Sequence, residues 1–340
     1  MKIAVIGNGG MAATLVSNFA AQGTPVYAVC GQNALHVGEF AKQNQIGKVY
    51  TNVDNLLAAD NYDLICIATP NNTHLEIFSK VIATDAVILL EKPAAVSSHE
   101  IDQMLELAGS KSDRLIIDHE LRFNPYVKSI KEFIANGTLG KIKAIQITTF
   151  LHHNAVDSKH MWFDQKEKGG GQVLLMGSHI LDLALYLLDF AQVKSGVVLK
   201  NQLLSFKNNS QIEIPVTTEQ QFSCLLRTET QTDIFLYNTA FSFAYREFEI
   251  KIMGDHGLLV FDDQKGLQLS TDPNQAIKTI AVIDELADIN IGRSFISKSC
   301  KYLVQELLDF VANKGNRHQS FCTLTQARQV VSTFETYDCE

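Results

Sequence analysis

The chain of 340 residues carries 37 acidic against 29 basic side chains, for a net charge of −8, and is 46% hydrophobic. This length suffices for two domains with their own cores, and the acidic balance argues against a nucleic-acid-binding surface. No apolar run reaches the ~18 residues of a membrane span, no leader precedes the first apolar run, and the six cysteines form no CxxC pair, so buried free thiols and a cytoplasmic protein are expected.

Lys2–Ile6 is a short apolar run fit for a central strand, and Thr14–Ala21 has one apolar side, as a helix would. Between them stand Gly7-Asn8-Gly9-Gly10-Met11-Ala12. Strand, glycine turn and helix together are the context in which a dinucleotide fingerprint has physical meaning. Gly7 suits the tight turn, Gly9 the close approach of a pyrophosphate, and Ala12 the close packing of helix on strand. The helix N-terminus offers its N–H groups to the phosphates.

The second strand, Pro25–Val29, runs into Cys30-Gly31-Gln32-Asn33. A carboxylate at this place would accept from the ribose hydroxyls, and an arginine would pair with a 2′-phosphate. Neither is present. Gln32 and Asn33 either bond the ribose or cap the helix from about Ala34 to Lys42, so the choice between NAD and NADP stays open.

A short strand (Val49–Thr51), a short helix (Val53–Ala59) and a buried strand (Tyr62–Ala68) follow. The last ends in Thr69-Pro70-Asn71-Asn72-Thr73-His74, where proline stops the strand and polar residues cap a helix over Leu75–Ile82. Loops at carboxyl edges of open parallel sheets lie where nucleotides bind. The strand Ala86–Leu90 ends in Glu91-Lys92-Pro93. A lysine just past a strand end is either a solubilising residue or a group aimed into the crevice. A helix capped at Ser97 or Ser98 and a final strand, Leu115–Asp118, close a doubly wound first domain at about residue 120, with Asp118–Pro125 as linker.

The second domain, residues 121–340, opens with a helix from Pro125 to about Ala135 and a strand over Lys143–Phe150. His152, His153 and His160 follow around the only tryptophan, Trp162. Their spacing matches no zinc pattern and no cysteine accompanies them. No metal is expected; the segment reads as a substrate-pocket rim or a plain surface loop. Gly169-Gly170-Gly171 leads to a helix over Gln172–Leu188, where polar His179 interrupts an apolar sequence. It is either a satisfied core histidine or a catalytic one. Leu175 and Asp182, four residues before and three after, share its face. The period then changes to that of strands, at Lys194–Lys200, Glu219–Leu226, Thr232–Asn238, Phe248–Met253 and Leu258–Phe261, with Lys207–Ser210 as an exposed loop. Helices over Ile296–Ala312 and Leu324–Phe334 finish an α+β domain on a mostly antiparallel sheet. A sheet this apolar needs both faces covered, one by helices and the other by a partner subunit.

These motifs together resemble the Gfo/Idh/MocA oxidoreductases, over nearly the whole length. Gly7, Gly9 and Ala12 match the family's nucleotide loop; Thr69-Pro70-Asn71 and His74 its loop after the fourth core strand; Glu91-Lys92-Pro93 its most specific tripeptide; Arg122, Phe123 and Pro125 its domain-crossing segment; Leu139-Gly140 the next turn; and Gly170-Gly171, Gly177, His179 and Asp182 its glycine–histidine–aspartate helix. The resemblance implies a Rossmann domain binding NAD or NADP, a C-terminal substrate and oligomerisation domain, and homodimers or homotetramers. It also implies a sugar, cyclitol or related small-molecule substrate, contacted by Lys92, with Arg122, Trp162, Leu175 and His179 in the substrate pocket. Lys92 would contact either that substrate or the nicotinamide ribose and help move a proton, and His179 would act as acid or base at the reacting hydroxyl or carbonyl. In many dehydrogenases of the family an aspartate stands four residues before the histidine, where this chain has Leu175. A regulatory or structural nucleotide-binding protein with a degenerate site, or a lyase or hydrolase using bound NAD as internal redox cofactor, are therefore the alternatives to a dehydrogenase or reductase.

Overall fold

The computed structural model describes residues 1–151, 162–202, 205–207, 213–240, 247–289, 294–313 and 317–339. The chain forms two compact units, one of Met1–Asn124 with Glu285–Gln329 and one of Pro125–Asp284 with Val330–Glu340.

In the first unit strands and helices alternate: β1 (Ile3–Ile6), α1 (Gly10–Ala21), β2 (Ala28–Cys30), α2 (Ala34–Gln43), β3 (Lys48–Tyr50), α3 (Val53–Ala59), β4 (Leu64–Ile67), α4 (His74–Val81), β5 (Val87–Glu91), α5 (Ser98–Ala108) and β6 (Leu115–Asp118). The six strands lie in the order β3-β2-β1-β4-β5-β6, every pair parallel. Central β1 and β4 are buried along their whole length, as continuous apolar runs covered on both faces must be. Side-chain caps open several helices: Asn33 accepts from His36 N–H, Asn52 from Asp54 and Asn55 N–H, and Ser97 from Glu100 N–H. The order reverses between β1 and β4, so the crevice expected of a doubly wound sheet opens at their carboxyl ends.

The second unit contains α6 (Pro125–Ala135), β7 (Ile142–Phe150), a π turn over Val173–Gly177, α7 (Ser178–Leu187), β8 (Val193–Asn201), a small hairpin of β9 (Ser205–Lys207) and β10 (Glu213–Pro215), then β11 (Gln221–Thr228), β12 (Asp233–Thr239), β13 (Glu247–Gly254), β14 (Leu258–Asp262), β15 (Gly266–Ser270) and β16 (Lys278–Ile280). Its eight-stranded sheet runs β16-β15-β14-β13-β7-β12-β11-β8. Only β12 and β7 pair in parallel; the other pairs are antiparallel. In β11 burial alternates residue by residue, as in a sheet with one covered face. Helix α7 packs on β7 and β12. The stretch Lys166–Leu187 has the length and mean hydropathy, 1.2, of a membrane-crossing helix, yet 83% of that window is buried inside the protein, as in a core helix.

The last two helices are α8 (Phe295–Asn313) and α9 (Leu324–Tyr337). A cut at residue 120 assigns both to the second domain, but α8 belongs to the first unit. Its buried Cys300, Leu303, Val304 and Leu307 share a core with Leu15, Val16 and Phe19 of α1. The spacing of three and four puts them on one face, and α1 is the helix that face fits. Cys322 bridges Ile117 on the free side of β6, and Arg317 donates to the carbonyls of Asp113 and Leu115. An otherwise open sheet edge is thus covered. Helix α9 starts in the first unit and continues in the second.

Candidate active site

The loop after β1 has the shape a pyrophosphate requires. Gly7 sits at φ 122°, where a Cβ would collide with the Ala68 carbonyl oxygen, and its N–H donates to Cys30 O at 2.8 Å. Gly9 caps α1 in extended conformation with no side-chain cap bond. Gly9 and Gly10 are exposed, with open space where a Cβ would stand. The first N–H groups of α1, which have no acceptor within the helix, therefore face space that a phosphate can enter. Asn8 and Met11 flank this mouth half-buried, and Ala12 is fully buried. A dinucleotide fits these residues.

At the end of β2, a Cβ on Gly31 would lie 2.8 Å from Asn8 Oδ1 and 3.2 Å from Val37 Cβ. Gln32 is exposed. Asn33 spends its side-chain oxygen on His36 N–H, 3.0 Å away, so capping is its role.

After β4, Asn71 is buried in a 3-10 turn over Asn71–Thr73, and Thr73 Oγ1 donates to Pro70 O at 2.7 Å. His74 is fully buried. Its Nδ1 lies 3.0 Å from Pro93 O and its Nε2 3.0 Å from Thr69 O. Each ring nitrogen thus faces a backbone carbonyl, and burial pulls the imidazole pKa below its usual range. His74 thereby ties the loop after β4 to the loop after β5.

Glu91 ends β5 and is 6% exposed; its Oε2 accepts from Lys92 N–H at 3.2 Å. Lys92 is partly buried. Burial lowers its pKa, while Glu91, Glu120 and Asp118 oppose that shift. Asp118 is fully buried and Glu120 is 1% exposed. Burial, then the negative charges of Glu91 and Glu120, push the Asp118 carboxyl well above the usual carboxylate range. The sequence places Asp118 at the end of the last strand and the start of the linker, and Glu120 within the linker. The available signal was an acid-histidine-acid run directly after the apolar Leu115-Ile116-Ile117.

Arg122 was expected to touch substrate. It is 2% exposed, and its guanidinium donates to Ser320 O at 3.3 Å and Gln326 Oε1 at 3.0 Å. These bonds anchor the turn Glu120–Phe123 to the segment leading into α9. Beside it Phe123 packs on Phe321, and Asn124 donates to Phe295 O and Ser299 Oγ.

In the second unit Trp162 opens a 3-10 turn over Trp162–Asp164, half-buried, its ring edge-on to Phe163. His152, His153 and His160 lie outside the described residues. A Cβ at Gly170 would strike Phe163 O; at Gly171 (φ 111°) it would lie 2.5 Å from Glu219 Oε1. Glu219 Oε1 accepts from Val173 N–H at 2.8 Å. A carboxylate thereby anchors the start of the π turn, a rare form common at functional sites. Behind it Asn238 Nδ2 donates to Gln172 Oε1 at 3.1 Å and Thr149 Oγ1 to Asn238 Oδ1 at 2.7 Å. The π turn replaces the first turn of the single α-helix expected from Gln172. His179 is 5% and Asp182 1% exposed in α7, and Leu175 is half-buried. Lys92 and His179 thus belong to different units, each held by its own framework.

Fold and glycine loop define a dinucleotide-binding protein of the Rossmann class. The N-terminal profile of the Gfo/Idh/MocA oxidoreductases, described as an oxidoreductase family with NAD-binding Rossmann fold, matches residues 1–119, and the profile of that family's C-terminal domain matches residues 127–260. The chain belongs to the Gfo/Idh/MocA family. An uncharacterized oxidoreductase of Synechocystis sp. is 28% identical over 265 residues, 76% of this chain and 71% of the relative. Glucose-6-phosphate 3-dehydrogenase of Bacillus subtilis is 30% identical over 62% of this chain and 61% of its own, and D-glucoside 3-dehydrogenase of Escherichia coli is 25% identical over 57% and 56%. Among solved structures, a levoglucosan dehydrogenase in complex with NADH superposes with a TM-score of 0.86 at 18% identity, covering 99% of this chain and 95% of that one, a likeness that shows the fold.

Proposed function

We propose that the chain is an NAD(P)-dependent dehydrogenase or reductase acting on a hydroxyl or carbonyl carbon of a small sugar, cyclitol or related compound. The observation that carries this reading is a glycine cradle open at Gly9 and Gly10 in the same unit as a partly buried, carboxylate-flanked Lys92. When bound, the nicotinamide gives or takes the hydride. Gly7–Ala12 hold the pyrophosphate, and Lys92 and His179 hold and exchange the proton of the reacting oxygen. Relatives named for glucose 6-phosphate, glucosides and myo-inositol support the substrate class.

Calorimetric titration with both cofactors in both redox states tests the first part; a folded, cofactor-free protein that binds none of them removes the reading. In a substrate screen with sugars and cyclitols, His179→Asn should lower turnover about 10²–10⁴-fold with little change in cofactor affinity. Lys92→Met should impair both turnover and substrate handling. Full turnover in both variants refutes the assignment.

Half-buried Leu175 favours a second reading, a nucleotide-binding protein with altered or lost chemistry, since leucine cannot orient an imidazole or stabilise its cation. Leu175→Asp separates the two. A gain of activity on a simple polyol means the native site has lost or retuned the family's chemistry; loss of a strong native activity means Leu175 lines the substrate pocket.

Two further properties belong to this proposal. Leu199, Leu225 and Phe235 are exposed on the face of the second sheet away from its buried residues, along an open groove also lined by Val197 and Tyr237. This supports a homodimer or homotetramer joined through that face. Five of six cysteines are buried, and all are free thiols, which supports a reducing, cytoplasmic location.

A further inference from the structure

Strand register forces a meeting of acids beneath Lys92. Glu91 and Asp118 are partners in the parallel pairing of β5 and β6, each the last residue of its strand. Their side chains are 6% and 0% exposed. Glu91 Oε1 and both carboxylate oxygens of Asp118 have no N–H or O–H donor among the described residues; the group that the register sets beside Asp118 is the Glu91 carboxyl, whose charge acts on it. Two ionised carboxylates cannot bond each other, and a buried acceptor without a donor is costly. A single proton between the two carboxyls removes both difficulties, as in other carboxyl pairs that share a site.

Among the described residues, Lys92 is the cation that acts on both carboxyls. Lys92 follows Glu91 directly and interacts electrostatically with Glu91, Asp118 and Glu120. Glu120, on the turn after β6, is a further carboxyl. Cys66 on β4 and Cys300 on α8 face Asp118, and burial pushes both thiols well up, so they stay neutral. His74 feels Lys92 but is itself pulled down by burial.

We propose that Glu91 and Asp118 form a carboxylic acid–carboxylate pair that shares one proton, carries a single negative charge, and acts as the buried counter-ion that positions Lys92 and sets its protonation. These are positioning residues, acting through the lysine. The proposal rests on the reading of Lys92 as a proton-exchanging group, but its test does not require turnover.

The lysine is titrated by NMR of the full chain carrying isotope-labelled lysine, with the Lys92 signal assigned by its loss in Lys92→Arg. Glu91→Gln and Asp118→Asn each replace one acid by a neutral amide and leave one charge on the pair. Either single variant should therefore leave the Lys92 midpoint within about 0.5 pH unit of the parent, whereas Glu91→Gln with Asp118→Asn should lower it by about one unit or more, the size of an opposite-charge effect at this range. A drop of a full unit in a single variant means the pair is doubly ionised and overturns the proposal. No drop in the double variant overturns it too, because the pair is then not the counter-ion. Should the variants fail to fold, infrared spectroscopy of the unsubstituted protein with labelled aspartate and glutamate decides: a protonated-carboxyl stretch at neutral pH is expected, and its absence refutes the shared proton. If the titrations come out as expected and Lys92→Met keeps full turnover, the counter-ion stands and the catalytic reading of Lys92 falls.

Discussion

Single residues decide which cofactor the first unit accepts. With Gly31 at the end of β2 no carboxylate repels a 2′-phosphate, and Asn33 is occupied as a helix cap. Weak discrimination is expected, the dissociation constants of NAD and NADP differing by less than about 100-fold, or about 2.7 kcal/mol. Gly31→Asp should shift the ratio toward NAD; its Cβ would meet the Asn8 carboxamide at 2.8 Å, a side-chain end that can move. Calorimetry with both oxidised cofactors checks both statements. Asp118 gives a second residue-scale expectation. Its pKa is raised in the folded chain, so the native state binds more protons there than the unfolded state, and its contribution to stability falls as pH rises from about 4 through the folded value. Asp118→Asn does not titrate. Its stability relative to the parent should rise between pH ~4 and the folded pKa of Asp118. Urea midpoints measured across that range would disprove this if the difference stays constant or shrinks.

At the scale of elements, the strand–loop–helix unit at the N-terminus separates folding from binding in two glycines. Gly7 is needed by the backbone: positive φ and the Ala68 carbonyl leave no place for a side chain. Gly9 is not needed by the backbone, since nothing among the described residues lies within 4 Å of a Cβ there. Gly7→Val should lower the melting temperature markedly. Gly9→Val should melt like the parent yet bind NAD at least about tenfold more weakly, a loss of about 1.4 kcal/mol. Unchanged affinity in Gly9→Val would place the phosphates elsewhere. The second unit has a comparable element in the π turn before α7. Its widened turn fits Gly177 against Phe222 and Phe334, each 3.1 Å from where a Cβ would stand. Glu219 holds its first N–H, and His179 follows two residues after it.

For the whole molecule, the exposed apolar face of the second sheet carries the expectation of self-association. Leu225→Lys and Phe235→Glu together should shift light scattering toward the 37.7 kDa protomer without loss of thermal stability. A parent protein that is already monomeric across micromolar concentrations would end the oligomer proposal.

Local signals were enough for most of the fold. Apolar runs of four or five residues, the Gly7–Ala12 turn and the change of period after Leu188 determined a parallel first sheet and a mostly antiparallel second one, because strand burial and turn chemistry are written in adjacent residues. They also singled out Lys92 and His179 as candidates, since polar residues in apolar surroundings stand out in any sequence. What only the tertiary structure decided depends on distant pairs. Residues 285–329 join the first unit because α1 offers α8 a complementary apolar face some 280 positions away, as the bond between Asn18 and Cys300 records. Arg122 ties the turn after β6 to the approach to α9 because Ser320 and Gln326 lie within reach of its guanidinium. Asp118, the end of its strand in sequence and structure alike, is the partner of Glu91 because parallel pairing sets two strand ends side by side. Such partners are chosen by packing and register, which no stretch of neighbouring residues specifies.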